Sequence, residues 1–338
     1  MVNYLTLNTL LLCAVCCISG CSNNPVYKVG TYVVEDYSEV IITPHILKGV
    51  DIDVACQLGS VITPLFGAMN ALSESKKKTL SLLHLLSANC SEQKANEAEL
   101  KSIRGLRSGN KEDAKDSRIS QKRWLKITAL RRKESFINAM SAYDYNYKKT
   151  DESCPKFSEK LDETVFLLGL ITGLQAIISD AGAELSARVP RNIASAAARA
   201  SYCLDDTQWG GMPSSIRASV WLLLPDLSPK NIDPWKMLNA ADSSAIKFGV
   251  RIPLALHAII AESTGNEMEL RRALSYLEEV SYINKELSLL DKIGLSHLLA
   301  VSDRHWTKAV GVRTPFSNLG SLFENNSDEN DDVFDDYL

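Results

Sequence analysis

Thr164-Val-Phe-Leu-Leu-Gly-Leu-Ile-Thr-Gly-Leu-Gln-Ala-Ile-Ile-Ser179 carries no charge, and Glu163 and Asp180 bound it. A helix drawn through this run has apolar side chains on every face, so it has no side to turn to water. It also falls short of the about 20 apolar residues that a membrane-spanning helix needs. Such a helix is stable only inside a shell of other helices. The expected fold is therefore all-α, with stacked antiparallel helical hairpins around a central apolar helix. Gly169 and Gly173 lie on one face and let a neighbouring helix approach closely. A second reading has Phe166, Gly169 and Gly173 lining a cavity for an apolar ligand.

On the C-terminal side the helix boundaries are sharp. Pro213 opens a run through Ile216 to Leu224, and Pro225 stops it. Asp233-Pro234 places a capping carboxylate before a proline at the first helical position, and the helix runs through Trp235, Leu238 and Ala245 to Gly249. Pro253 opens the next helix, ended by Gly265, and Asn266 with Glu269 gives a capping-box-like start for Leu270 to Val280. A last helix covers Lys285 to Val301. The caps at Asp233 and Asn266 are 33 residues apart, close to the period of tetratricopeptide-like repeats. Only Leu238 and Ala258 match that consensus once Trp235 is aligned, so the pattern is one of stacked helical hairpins.

On the N-terminal side, Val50 begins a helical pattern through Ala55, Leu58, Val61 and Ile62, which Pro64 interrupts or bends. A leucine-dense run from Thr79 to Cys90 contains His84, read as a core or edge residue. A polar helix follows over Glu92 to Leu106. Residues 101–133 hold twelve Lys or Arg against three acids. That bias reads as the solvated face of an amphipathic helix, ahead of a patch for anionic headgroups or an acidic partner. Tyr27 to Ile42 is β-prone and nothing pairs it with a second strand, so residues 21–50 are expected to form an extended arm.

Composition agrees with helices. Glycine and proline together number 28 in 338 residues, below the about 12% of average usage, and strands need many turns. The net charge of −4 offers no basic excess for nucleic acid.

The chain's start carries the most specific pattern. An uncharged, mostly apolar run from Leu5 to Gly20 ends in Ile18-Ser19-Gly20-Cys21, which resembles the lipobox of bacterial lipoproteins: an aliphatic residue, two small residues and a cysteine. Met1 to Leu5 holds no Lys or Arg, so the terminal amine alone represents the family's basic start. The resemblance implies a signal peptide over residues 1–20, removed before Cys21, and a diacylglyceryl group on the Cys21 thiol. It implies a protein tethered to the periplasmic face of a Gram-negative envelope. Ser22 after the cysteine favours the outer membrane.

Under that reading Cys13, Cys16 and Cys17 leave with the signal, and Cys56, Cys90, Cys154 and Cys203 remain. An even number in an exported chain allows up to two disulfides in three connectivities. The spacings suggest Cys56–Cys90 and Cys154–Cys203, each worth about 3–4 kcal/mol. The alternative is four buried thiols.

A lipobox ahead of degenerate helical pairs resembles the T-component lipoproteins of TRAP transporters. The segments that align are Ile216 to Leu224, Trp235 to Ala261 and Leu270 to Val280. That resemblance implies a helical periplasmic protein with an apolar channel, partnering a substrate-binding protein in the uptake of organic acids or hydrophobic ligands. It brings no catalytic signature.

Nor do the residues themselves suggest catalysis. His45, His84, His257, His297 and His305 are scattered without a His-Glu-x-x-His pattern, and no Gly-x-Ser-x-Gly elbow or phosphate-cradling glycine loop occurs. Asp205-Asp206 reads as a cap, and Asp303-Arg304-His305-Trp306 as a C-terminal cap over the bundle. No enzyme, metal or cofactor is expected. The helical domain is expected over residues 51–320, followed by an acidic, disordered tail over 321–338, where seven acids and no base lie between Glu324 and Asp336. Two functions fit: a lipid-anchored adaptor or ligand carrier in envelope transport, or a structural scaffold lipoprotein.

Overall fold

The computed structural model describes residues 25–37, 41–69, 77–277 and 279–323. Among these residues there are twelve α-helices and no strand: α1 Pro25–Tyr37, α2 Thr43–Leu47, α3 Ile52–Met69, α4 Lys77–Arg107, α5 Lys111–Ala142, α6 Lys160–Gly182, α7 Asn192–Ala200, α8 Met212–Leu223, α9 Pro234–Phe248, α10 Ile252–Thr264, α11 Glu267–Ser275 and α12 Ser288–Val310. The fold is all-α. The signal segment, Cys21 and residues 324–338 lie outside the described residues.

The apolar run forms α6, which is long and apolar enough to cross a membrane but is mostly buried. It packs against α4, α5, α7 and α8. Its closest neighbour is α5, which meets its glycine face. A Cβ on Gly169 would overlap the Cβ of Ala139, and one on Gly173 would lie 2.5 Å from the Phe136 ring. The space beside both glycines is therefore filled by α5.

Helices α4 and α5 form a long antiparallel hairpin. Asn110 caps α5 by accepting a hydrogen bond from Asp113 N at 3.2 Å. Serine and threonine stitch the seam: Ser81 Oγ donates to Ser135 O, Ser135 Oγ returns the bond to Ser81 O, and Thr128 Oγ1 donates to Ser91 Oγ, at 2.8–2.9 Å. Such bonds let two polar faces meet without leaving buried hydroxyls orphaned.

The C-terminal helices form a second layer. Helix α10 packs on α8, α9, α11 and α12, and α12 returns onto α4. Asp233 caps α9 through the amides of Trp235 and Lys236, and Asn266 caps α11 through Glu269 N. Gly249 and Gly265 end α9 and α10 at φ of 79° and 70°, where glycine carries no steric cost. The two pairs are unequal, since α11 has 9 residues against 15 in α9. The Glu269 side chain does not return to its cap. It turns into the core beside His257, which also faces Asp242, at 3.3 and 2.5 Å.

Three expectations are corrected. Most of the described part of residues 21–50 is helical, in α1 and α2, where an extended arm was expected. An unpaired strand leaves its backbone groups to solvent, whereas a helix satisfies its own. Pro44 sits in the first turn of α2, where proline is well tolerated. The leucine run and the polar helix after it are one continuous helix, α4. The tail does not begin at 321, because Leu322 is buried, Trp306 Nε1 donates to Ser321 O at 3.1 Å, and Phe323 packs edge-on against Trp306.

Disulfides join Cys56 to Cys90, linking α3 to α4, and Cys154 to Cys203, linking the loop before α6 to the turn after α7. The basic segment 101–133 does not present one face. Arg132 is buried, Arg131 donates to Ser87 O, Lys122 pairs with Glu184, and Trp124 lies under Lys94.

Candidate functional site

Two cavities stand out, one apolar and one polar. The apolar cavity, about 160 Å³ and partly open to solvent, is lined by α1, α2, α3, α4 and α12, with Leu168 of α6 on its wall. Its lining follows from the leucine-dense first half of α4: Leu82, Leu83, Leu85 and Leu86 recur too often for one helical stripe and reach two neighbours at once. Thr79 also lines it, is 5% exposed, and its Oγ1 has no hydrogen-bond partner among the described residues. Leu65 is half exposed on α3, beside an outer surface that leaves Val54 and Val61 in solvent.

The polar cleft is larger, about 640 Å³, and lies among α4, α5, α6, α10 and α12. Ionisable groups from four helices line its interior. Arg132 donates to Glu92 at 2.5 Å and to Ser179 Oγ at 2.8 Å. His297 Nδ1 faces Glu92 at 3.6 Å, and its Nε2 meets the Gln175 amide at 3.2 Å. Arg304 pairs with Glu262 through both Nε and a terminal nitrogen, and lies 3.8 Å from Glu99.

The electrostatics follow from burial and pairing. Burial works against the charged form of Glu92, but Arg132 and His297 outweigh it and hold the carboxyl below its ordinary value. Burial likewise opposes Glu262, and the Arg304 hydrogen bond and charge overcome it, so this carboxyl is also held low. Burial pushes His297 below the usual imidazole value despite Glu92, so the ring is neutral at pH 7.

One lip of the cleft is a strained loop after α6. Glu184, Leu185 and Arg188 adopt φ of 56°, 59° and 54°, a region that non-glycine residues avoid. Asp180 holds the loop by accepting hydrogen bonds from Ala187 N and Val189 N, each 2.8 Å. Leu185 and Val189 thereby face the cleft.

The residues singled out from sequence are distributed differently. Phe166 packs with Tyr143, Tyr145 and Phe157, their ring centroids 5.2–5.8 Å apart. Phe166, Gly169 and Gly173 line neither cavity, because α5 and this aromatic cluster occupy the space around them. Arg304, from the cluster read as a cap, lines the cleft, while Trp306 covers residues 321–323. Glu92, Arg132, Gln175, His297 and Glu262 carry no site role in the sequence reading. The one available signal was polar residues breaking apolar stretches, as Gln175 breaks α6 and His297 breaks α12. No group of three or more His, Cys, Asp or Glu suited to a metal occurs among the described residues.

No known protein family, curated protein sequence or solved structure matches the chain. Fold and cavities together define an all-α domain with an apolar chamber and a charged cleft.

Proposed function

We propose that this protein is a lipid-anchored carrier of the bacterial envelope, tethered through Cys21 and holding a small hydrophobic ligand in its apolar cavity. In this reading it serves uptake as T-component lipoproteins do, handing ligand to or from a transport partner at the periplasmic face. The observation that carries the reading is the cavity bounded by Leu82, Leu83, Leu86, Leu290 and Ile293. A comparable chamber of about 150 Å³ lined by such side chains stays dry and takes a benzene-sized guest. The disulfides Cys56–Cys90 and Cys154–Cys203 fit an oxidising compartment. No catalytic role is assigned.

A second reading, a scaffold in an envelope assembly, draws on the exposed apolar side chains Val29 and Val33 of α1 and Val54 and Val61 of α3. Native mass spectrometry of protein extracted from its own envelope separates the two. A co-purifying small hydrophobic molecule supports the carrier, and protein partners alone support the scaffold. Mature protein that begins at Met1 without lipid overturns the anchor.

A further inference from the structure

The polar cleft has a charge pattern that the carrier reading does not use. Four carboxylates line it: Glu92, Glu99, Asp180 and Glu262. Each is already engaged within the wall. Glu92 is held by Arg132 and Glu262 by Arg304, Glu99 lies between Arg118 and Arg304, and Asp180 accepts the amides of Ala187 and Val189. Two lining cations, Arg191 and Lys308, form no ion pair among the described residues, and both are solvent-exposed. The walls between are largely aliphatic, from Leu125, Ile178, Leu185 and Ile259.

A third feature points inward. Gln175 is 6% exposed, and one end of its amide meets His297. The other end makes no hydrogen bond among the described residues. That free end opens onto the cleft, where a ligand hydroxyl or amine can take the place of solvent against it.

We infer that this cleft is a second binding site, for a small organic anion with an apolar body and a polar group at its far end. The anion is met by Arg191 or Lys308 at the exposed edge, the body lies along the aliphatic walls, and the far polar group reaches Gln175. Cations supplied by the rim spare the ligand any competition with the inner ion pairs, which are already closed. The site owes nothing to the lipid anchor and shares no lining residue with the apolar cavity.

The test uses two-ring probes, which are too large for a chamber that takes one benzene ring. Binding of 6-hydroxy-2-naphthoate, 2-naphthoate and 2-naphthol to the purified residue 21–338 chain is followed by probe fluorescence and checked by calorimetry. The hydroxy-acid is expected to bind most tightly, and the naphthol about tenfold or more weaker for lack of the charge-assisted contact. Arg191→Gln with Lys308→Gln alters only exposed side chains, and it is expected to weaken both acids about tenfold while leaving 2-naphthol unchanged. Gln175→Met is expected to remove the advantage of the hydroxy-acid over 2-naphthoate. Naphthol binding equal to that of the acids, acid affinities unmoved by the rim variant, or no acid binding up to about 1 mM would each overturn the site.

Discussion

Gly169 on α6 lies so close to Ala139 on α5 that a Cβ on the glycine would come within 2.2 Å of the alanine methyl. The atoms in the way belong to a short side chain fixed on a helix, so relief requires the two helices to separate. Gly169→Ala is therefore expected to destabilise the fold by about 2 kcal/mol, although alanine is the better helix former by about 1 kcal/mol. Gly67 on α3 supplies the control, since nothing among the described residues lies within 4 Å of its absent Cβ. Gly67→Ala is expected to stabilise by up to about 1 kcal/mol. Urea unfolding of both variants checks the pair, and equal shifts would remove close packing as the reason for Gly169.

The two disulfides close segments of 34 and 49 residues, and loop entropy assigns each about 4 kcal/mol. Their accessibility differs, because Cys56 is buried whereas Cys154 is exposed. Limiting reductant is expected to open Cys154–Cys203 first, seen as alkylation of that pair while Cys56 and Cys90 stay protected. Cys154→Ser with Cys203→Ser is expected to cost about 2–5 kcal/mol. Simultaneous opening of both bridges would mean that access does not set the order.

How far these relationships could be read from the sequence depended on whether the signal was local. The central helix was legible because its apolar residues cover every face, and Asp233 and Asn266 were legible because a cap acts within three residues. The α1–α2 segment departs from its strand pattern because β-branched residues express only a weak, context-dependent preference, and Pro44 is compatible with the first turn of a helix. The polar cleft was hidden because its partners are distant: Glu92 and Arg132 are 40 residues apart, and Gln175 and His297 are 122 apart. A charged residue on an amphipathic helix looks the same from sequence whether it meets solvent or a buried counter-ion. The glycines advertised close packing and an open space equally, and only the position of Ala139 and Phe136 decides between them.

Acid should weaken this fold in two stages. His297, His84 and His305 are each held below the ordinary histidine value, burial being the first cause in every case. Unfolding lets them take up protons more readily, so stability falls as pH drops below about 6.5. Glu92 and Glu262 are held low by Arg132 and Arg304 against the opposing effect of burial. Their contribution is present above the ordinary glutamate value and is lost as pH falls through the lower folded value. His297→Gln is expected to flatten the first stage and leave the second intact, in melting temperatures recorded from about pH 7 to pH 3. An unchanged first stage would place the loss on His84 and His305.

Thr79 offers the sharpest test of the apolar chamber. Its Oγ1 is buried against leucine and isoleucine side chains without a hydrogen-bond partner among the described residues, a position that costs roughly 1–3 kcal/mol. Valine has the same shape and the same branching at Cβ, so Thr79→Val removes the hydroxyl without changing the packing or the constraint on the helix. The variant is expected to be more stable than the parent by about 1 kcal/mol in urea unfolding, whereas Thr79→Ser, which keeps the hydroxyl and loses the methyl, is expected to be less stable. A chamber built only for packing would have no use for that hydroxyl. If Thr79→Val also loses a hydrophobic molecule that co-purifies with the parent, the hydroxyl is a ligand contact. A less stable Thr79→Val would mean that the oxygen has a partner in solution, and the chamber would then be wet.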